Sequence, residues 1–241
     1  MSGSSLLNIG SSGLQAFQRS LTTISHNIAN VNTDGYSKQS VELDARVPQI
    51  SGFGFSGTGV QTTSITRSYD AFVESSVRSS TSSATEFETF HALASKIDNV
   101  LADPDAGIAN TMQSFFNAMQ DVADTPSSTA AREVLLKDGQ QLADQFNTLS
   151  TWLDSIRGQG NGEVRSGVTA INQLSPASAD LNEAIVIGQG RSGVQPANDL
   201  LDQRNTLIRD LSELVAVTTV EQDDGSLNVM AGSGQVLVVG N

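Results

Sequence analysis

The chain has 241 residues, 38% of them hydrophobic but only 5% aromatic and 16% charged, with 26 acids against 13 bases and no cysteine. That composition excludes disulfides, thiolate metal sites and cysteine nucleophiles, and it suits passage through an export channel in an unpaired state. An acidic chain repels nucleic acid and anionic membrane surfaces, so neither is expected as a partner.

The charge is uneven. Residues 1–33 hold no acid and a single base, Arg19, whereas residues 98–241 carry 19 acids and seven bases, a net of −12. No apolar run approaches the roughly 20 residues that span a bilayer. With no base before Arg19 and no apolar core after Met1, a cleaved signal peptide is not expected either.

In chain order, the first helix is expected from about Leu6 to Val31. Leu7, Leu14, Leu21 and Ile28 stand seven apart, as do Phe17, Ile24 and Val31, with Gly10 as the gap in that second row. Such a 3-4 stripe marks a helix that buries one narrow face against other helices. No other segment answers it with a comparable stripe, so its partner is expected outside the chain. An isolated helix is marginal in water, and this one is expected to order only against that partner. Asn30, Asn32, Asp34 and Gly35 then crowd together as a stop and turn.

From Tyr36 to Tyr69 the period becomes two, around Val41, Leu43, Ala45 and Val47 and again around Val60 and Ile65. This predicts a long β-hairpin with a flexible glycine-rich tip at residues 51–59. Helical spacing returns from Val73 to Leu101, stopped at Asp103-Pro104-Asp105, and a shorter helix runs from Ile108 to Val122. Ser127 or Ser128 is expected to cap the next helix, with Leu135, Leu142, Leu149 and Ile156 on its face. Gly158, Gly160 and Gly162 are expected to break that helix, Pro176 to kink or restart the one after it, and Gly188, Gly190 and Gly193 to form a loop. A last helix, Ala197 to about Val215, leads into strands with an Asp224-Gly225 hairpin turn. The strand around Val236–Val239 reads as hardly complete, which suggests a truncated β domain.

The fold class expected is therefore mainly α: an N-terminal heptad helix, a long β-hairpin, a bundle of long helices, then the start of a β domain. Three parts follow, residues 1–35, 36–215 and 216–241.

No catalytic, cofactor or metal set emerges. His26 and His91 lack ligand neighbours at helical spacing, and Ser25-His26 is no triad. Asp103-Pro-Asp105-Ala-Gly107 lacks the third ligand and closing Glu of a calcium loop, and Gly158-Gln-Gly160-Asn-Gly162 lacks the Gly-Lys-Ser/Thr ending of a phosphate loop. Asp223 and Asp224 are turn formers. Two segments rise above that background. Asn27, Asn30 and Asn32, with Gly35 and Tyr36, flank the continuing seam and could bond neighbouring backbones in a packed assembly. Asn198-Asp-Leu-Leu-Asp-Gln-Arg204 opens an amphipathic helix whose acids suit its dipole.

The stretch Ser12-Gly-Leu-Gln-Ala through Asn27-Ile-Ala-Asn-Val-Asn-Thr-Asp-Gly-Tyr36 resembles the N-terminal signature of bacterial flagellar rod, hook and hook-associated proteins. Asn198–Arg204, placed after several long helices, is similar to the hook-associated proteins of the hook–filament junction. The resemblance implies a structural adaptor without catalysis or cofactor, exported to the flagellum without a cleaved signal. It implies partners in copies of the same chain (ring or helix), the hook protein and a second junction protein or filament, and it allows an export chaperone. The assembly interface expected is Leu7, Leu14, Phe17, Leu21, Ile24, Asn27, Ile28, Asn30, Val31, Asn32, Gly35 and Tyr36. A rod or hook protein is the alternative within the class; a secreted binding module or a wall hydrolase would stand outside it.

Overall fold

A computed structural model describes residues 3–52, 54–101, 107–192 and 196–240. The protein is mainly α. Among the described residues there are five helices, α1 (Gly3–Ala29), α2 (Ala71–Leu101), α3 (Ile108–Asp124), α4 (Thr129–Ser192) and α5 (Asn198–Leu214). Strands β1 (Gln39–Ala45), β2 (Gln49–Ser51), β3 (Gly54–Ser56) and β4 (Val60–Arg67) lie between α1 and α2, and β5 (Val217–Glu221), β6 (Leu227–Ala231) and β7 (Gln235–Val238) follow α5. The chain divides into two compact units, residues 1–83 with 170–241 and residues 84–169.

In the first unit, β1 and β4 pair antiparallel from Gln39↔Arg67 to Ala45↔Val60, with a bulge at Glu42/Leu43. The tip is not a free loop: β2 and β3 continue the hairpin in their own register, Gln49↔Ser56 to Ser51↔Gly54. Helix α1 packs against β1 and β4. It is therefore formed against a partner within the chain, contrary to the expectation that it orders only on an outside one. The reason is a face that an apolar pattern does not mark. Ser12, Ala16 and Thr23 are buried, with Ile9 and Ser20 half-buried beside them on the same side of the helix. Their small side chains let the helix backbone approach the strands closely. At Gly59, whose φ is +107°, any Cβ would collide with the Ser12 hydroxyl. That hydroxyl accepts the Val60 N–H at 3.2 Å and donates to the Ile9 carbonyl at 2.8 Å.

The principal core of this unit lies where α5 meets the three-stranded sheet β5-β6-β7. Ile208, Leu211, Val229 and Val238 are buried there, with Ile171 and Leu174 of α4 packed against them. The Asp-Gly turn forms as the sequence predicts: the Asp224 carboxylate accepts the Ser226 N–H at 2.9 Å and hydroxyl at 2.6 Å, which holds its pKa below the ordinary value.

The second unit comprises α3 and parts of α2 and α4. Asp70 caps α2 by accepting the Phe72 and Val73 N–H groups, and Ser128 caps α4 through the Ala131 N–H at 3.2 Å. Ala118 of α3 is buried, and Phe115 lies against Gly139 of α4.

The glycine break does not occur. Helix α4 runs unbroken from Thr129 to Ser192, through Gly158, Gly160 and Gly162, with Pro176 inside it and Gly188 and Gly190 in its last turns. None of these glycines has a positive φ. Glycine lowers helix stability by only about 1 kcal/mol against alanine, and here the burial period outweighs that. Leu135, Leu142, Leu149, Trp152, Ile156 and Gly160 are half-buried at steps of three, four or seven, so the packed stripe passes straight through the glycines. At Pro176 the helix continues, and the neighbouring Ser175 hydroxyl donates to the Ile171 carbonyl at 2.8 Å. The predicted Asp103-Pro104-Asp105 stop and Gly193 lie outside the described residues.

Gly158 and Gly162 are exposed, and a Cβ at either would meet nothing within 4 Å. Gly158→Ala and Gly162→Ala should each stabilise the protein by roughly 0.5–1 kcal/mol in urea denaturation. A loss of stability would mean that the chain is not helical there.

Candidate assembly interface

Helix α1 presents two opposed faces. Successive residues turn by 100°, so Leu14 and Leu21 lie across the helix from Ser12, Ala16 and Thr23. The packed face is small and polar; the outward face is the apolar seam. Leu7, Leu14, Phe17, Leu21, Ile24, Ile28 and Val31 are between 51% and 75% exposed. Together they form a contiguous exposed apolar stripe along one side of α1 and into the turn that follows it.

The asparagine-rich turn is fastened within the chain. The Asn27 amide brackets the backbone of Gln39, its Oδ1 accepting the N–H at 2.9 Å and its Nδ2 donating to the carbonyl at 2.8 Å. The same Oδ1 accepts the Tyr36 hydroxyl at 2.7 Å. An asparagine amide offers one acceptor and two donors, so it can stand in for a neighbouring peptide unit at the strand start. The Asn30 side chain donates to the His26 carbonyl at 3.1 Å, the same oxygen that accepts the Asn30 backbone N–H, and its Oδ1 accepts the Thr33 hydroxyl at 3.2 Å. Asn32 is exposed. Gly35 has φ +73°, and a Cβ there would strike the Thr206 hydroxyl of α5, so only glycine lets the turn lie against that helix.

The partner of this turn is the first two turns of α5, the segment the sequence marks only as an amphipathic start. Asp202 is buried, and its carboxylate accepts the Ser37 N–H and the Arg67 guanidinium, both at 2.8 Å. Arg67 lies over the Tyr69 ring at 4.0 Å. Asp199 accepts the Gln39 side-chain amide at 2.8 Å and lies 3.3 Å from His26, whose ring meets Tyr36 edge-on. Asn198 donates to the Ile65 carbonyl at 2.7 Å. Arg204, buried, donates to Asn182 at 2.9 Å and to the Gly225 carbonyl at 2.8 Å, and Asn182 brackets the Leu227 backbone much as Asn27 brackets Gln39. Burial lowers the Arg204 pKa from its ordinary value. Burial first, then the carboxylates of Asp199 and Asp202, raise the Tyr36 pKa, which keeps its hydroxyl a donor to Asn27.

The polar residues of Asn198–Arg204 thus clasp the helix, turn and hairpin to the α5 core. The structure brings Asn27, Asn30 and Tyr36 of the predicted set together on inward bonds, sets Gly35 against α5, and leaves the seven apolar seam residues facing out. Sequence reasoning missed Ser37, Gln39, Arg67, Asp199 and Asp202. Their bonds span up to 173 residues, and the one available signal was two acids three apart at a helix start.

The profile described as the flagellar hook-associated protein FlgK helical domain matches residues 94–241. The chain belongs to the FlgK family. A second profile, for the flagella basal body rod protein, matches residues 7–36, the seam helix and its turn. Flagellar hook-associated protein 1 of Salmonella typhimurium is 35% identical over 238 residues, 99% of this chain and 43% of its own length. That of Bacillus subtilis is 32% identical over 233 residues, 93% of this chain and 46% of its length. The chain thus spans less than half the length of these relatives. The flagellar hook junction protein FlgK from Burkholderia pseudomallei superposes with a TM-score of 0.62 at 30% identity, over 69% of this chain and 29% of that one. No described helix is long and apolar enough to cross a membrane.

Two predictions separate the clasp's parts. Asp202→Ala strands a buried guanidinium and should cost about 3–5 kcal/mol in urea denaturation, whereas Asp199→Ala, which loses the exposed His26 contact and the Gln39 amide bond, should cost about 1–3 kcal/mol. Gly35→Ala should cost about 1–3 kcal/mol from its left-handed backbone alone, before any displacement of Thr206. Equal effects at Asp199 and Asp202 would contradict the buried pair as the fastening point.

Proposed function

We propose that the protein is a non-enzymatic structural subunit of the bacterial flagellum, located outside the cell at the junction of hook and filament. The observation that carries this is the seam, six exposed apolar side chains on α1 and Val31 just beyond it, with the opposite face of the helix already packed. Membership of the FlgK family and the naming of the Burkholderia relative as a hook junction protein support the location.

In this reading, copies array around the flagellar axis, with the seam buried against partner helices and the turn at Asn27–Tyr36 setting the direction in which the helix leaves the body. Burying an apolar side chain of this size is worth roughly 1.5–3 kcal/mol, against an association cost on the order of 4–15 kcal/mol. A partner must therefore cover most of the seam; two side chains would not suffice. The axial partners are other copies, the hook protein, and a second junction protein or the filament. Delivery is through the flagellar export channel, to which the absence of cysteine is suited.

Gold-labelled antibody to the chain should mark a narrow band between hook and filament in electron micrographs of intact flagella. Label along the hook or rod would assign a different axial role. Leu14→Asp and Leu21→Asp, at positions 62% and 63% exposed, should leave the circular dichroism spectrum unchanged and abolish incorporation. Normal incorporation of either would refute the seam's role.

A further inference from the structure

The asparagine-rich turn and α5 border a groove of about 470 Å³. Half-buried Leu181 and Leu207 contribute apolar surface, and Asp34, Asp199 and Asp202 contribute carboxylates. Arg67 neutralises Asp202 at 2.8 Å. Arg209 stands 4.0 Å from Asp34, and His26 stands 3.3 Å from Asp199. The Asp34 and Asp199 side chains remain 92% and 59% exposed. Two carboxylates within reach of solvent thus border a patch of apolar surface.

The hairpin tip has the complementary character. Val47, Ile50 and Phe55 are 84%, 80% and 75% exposed, and Arg46 is the single charged residue between positions 45 and 66. The tip cannot fill the groove of its own chain. Gln39, which touches Asp199 at the groove, begins β1, and Arg46 follows seven residues later. At about 3.3 Å per residue along a paired strand, the tip is held roughly 23 Å away.

We propose that the groove receives the hairpin tip of a second copy, with Val47, Ile50 and Phe55 against Leu181 and Leu207 and Arg46 between Asp34 and Asp199. This deepens the assembly reading above and rests on it. Because tip and groove are different surfaces of one chain, the contact is heterologous: each copy offers a tip to one neighbour and a groove to the other. Such contacts propagate head to tail into rings or helices and do not stop at pairs. The clasp then has a second consequence, since the bonds that fasten the turn to α5 also shape the receptor for the next subunit.

The lack of native cysteine makes the test direct. Ile50→Cys and size-tagged Gln203→Cys chains, prepared separately and mixed under mild oxidation, should form a tagged–untagged disulfide dimer. Its yield should be several-fold above that of Ile50→Cys mixed with Glu163→Cys, an exposed site on α4. Adding Arg46→Glu to the tip chain should suppress the cross-link, and Asp34→Arg in the groove chain should restore it. A yield no higher than the Glu163→Cys control, or preferential linkage of Ile50→Cys to Leu14→Cys on the seam, would overturn the contact. Either result would leave the hook–filament location to be judged by the antibody label alone.

Discussion

The first 70 residues keep their place because one buried carboxylate, Asp202, accepts two donors from different elements. The Ser37 N–H comes from the turn after α1, and the Arg67 guanidinium from the end of β4. Both partners of the ion pair are nearly inaccessible, so removing either leaves the other charged and without water. Around this point the weaker bonds of Asn198, Asp199 and Asn27 fix orientation more than stability. Together they connect the start of the chain to a helix some 170 residues later, and that helix is itself held by the β5-β6-β7 core.

That fastening explains how α1 can carry an exposed apolar seam and still be formed. A helix bound only through its apolar face would have none left to offer. Here Ser12, Ala16 and Thr23 make the contact with the hairpin, and the large side chains remain free. A small-residue face contributes little transfer energy, which is why the polar bonds at the helix end matter. The helix is thereby already held in one direction within the isolated chain.

Much of the fold was legible in the sequence because its periods are long and its punctuation chemical. The stretches Val73–Leu101 and Ile108–Val122, the Ser128 cap and the Asp224-Gly225 hairpin all follow from local rules. The glycines of α4 look like breakers in the sequence but are only permissive, and the stripe through Leu149, Ile156 and Gly160 decides the outcome. The small-residue face of α1 was invisible to a search for apolar spacing. The seam is exposed along its length, whereas Asn27 and Asn30 beside it bond within the chain. The clasp could not be read at all: nothing local to Asp202 points to Ser37 or Arg67, and its spacing from Asp199 fits an ordinary helix start. The family likeness, by contrast, rests on two short segments whose residues the structure ties to each other.

If subunits join through the seam, it is free in the isolated protein and covered in the assembled flagellum. The most direct measurement is the rate of maleimide labelling of Phe17→Cys, at a seam position 67% exposed, in the purified chain and in intact hook–filament preparations. The free chain should label rapidly, and labelling should be slower by at least an order of magnitude after assembly. Equal rates in the two states would mean that the seam is not where the subunits join.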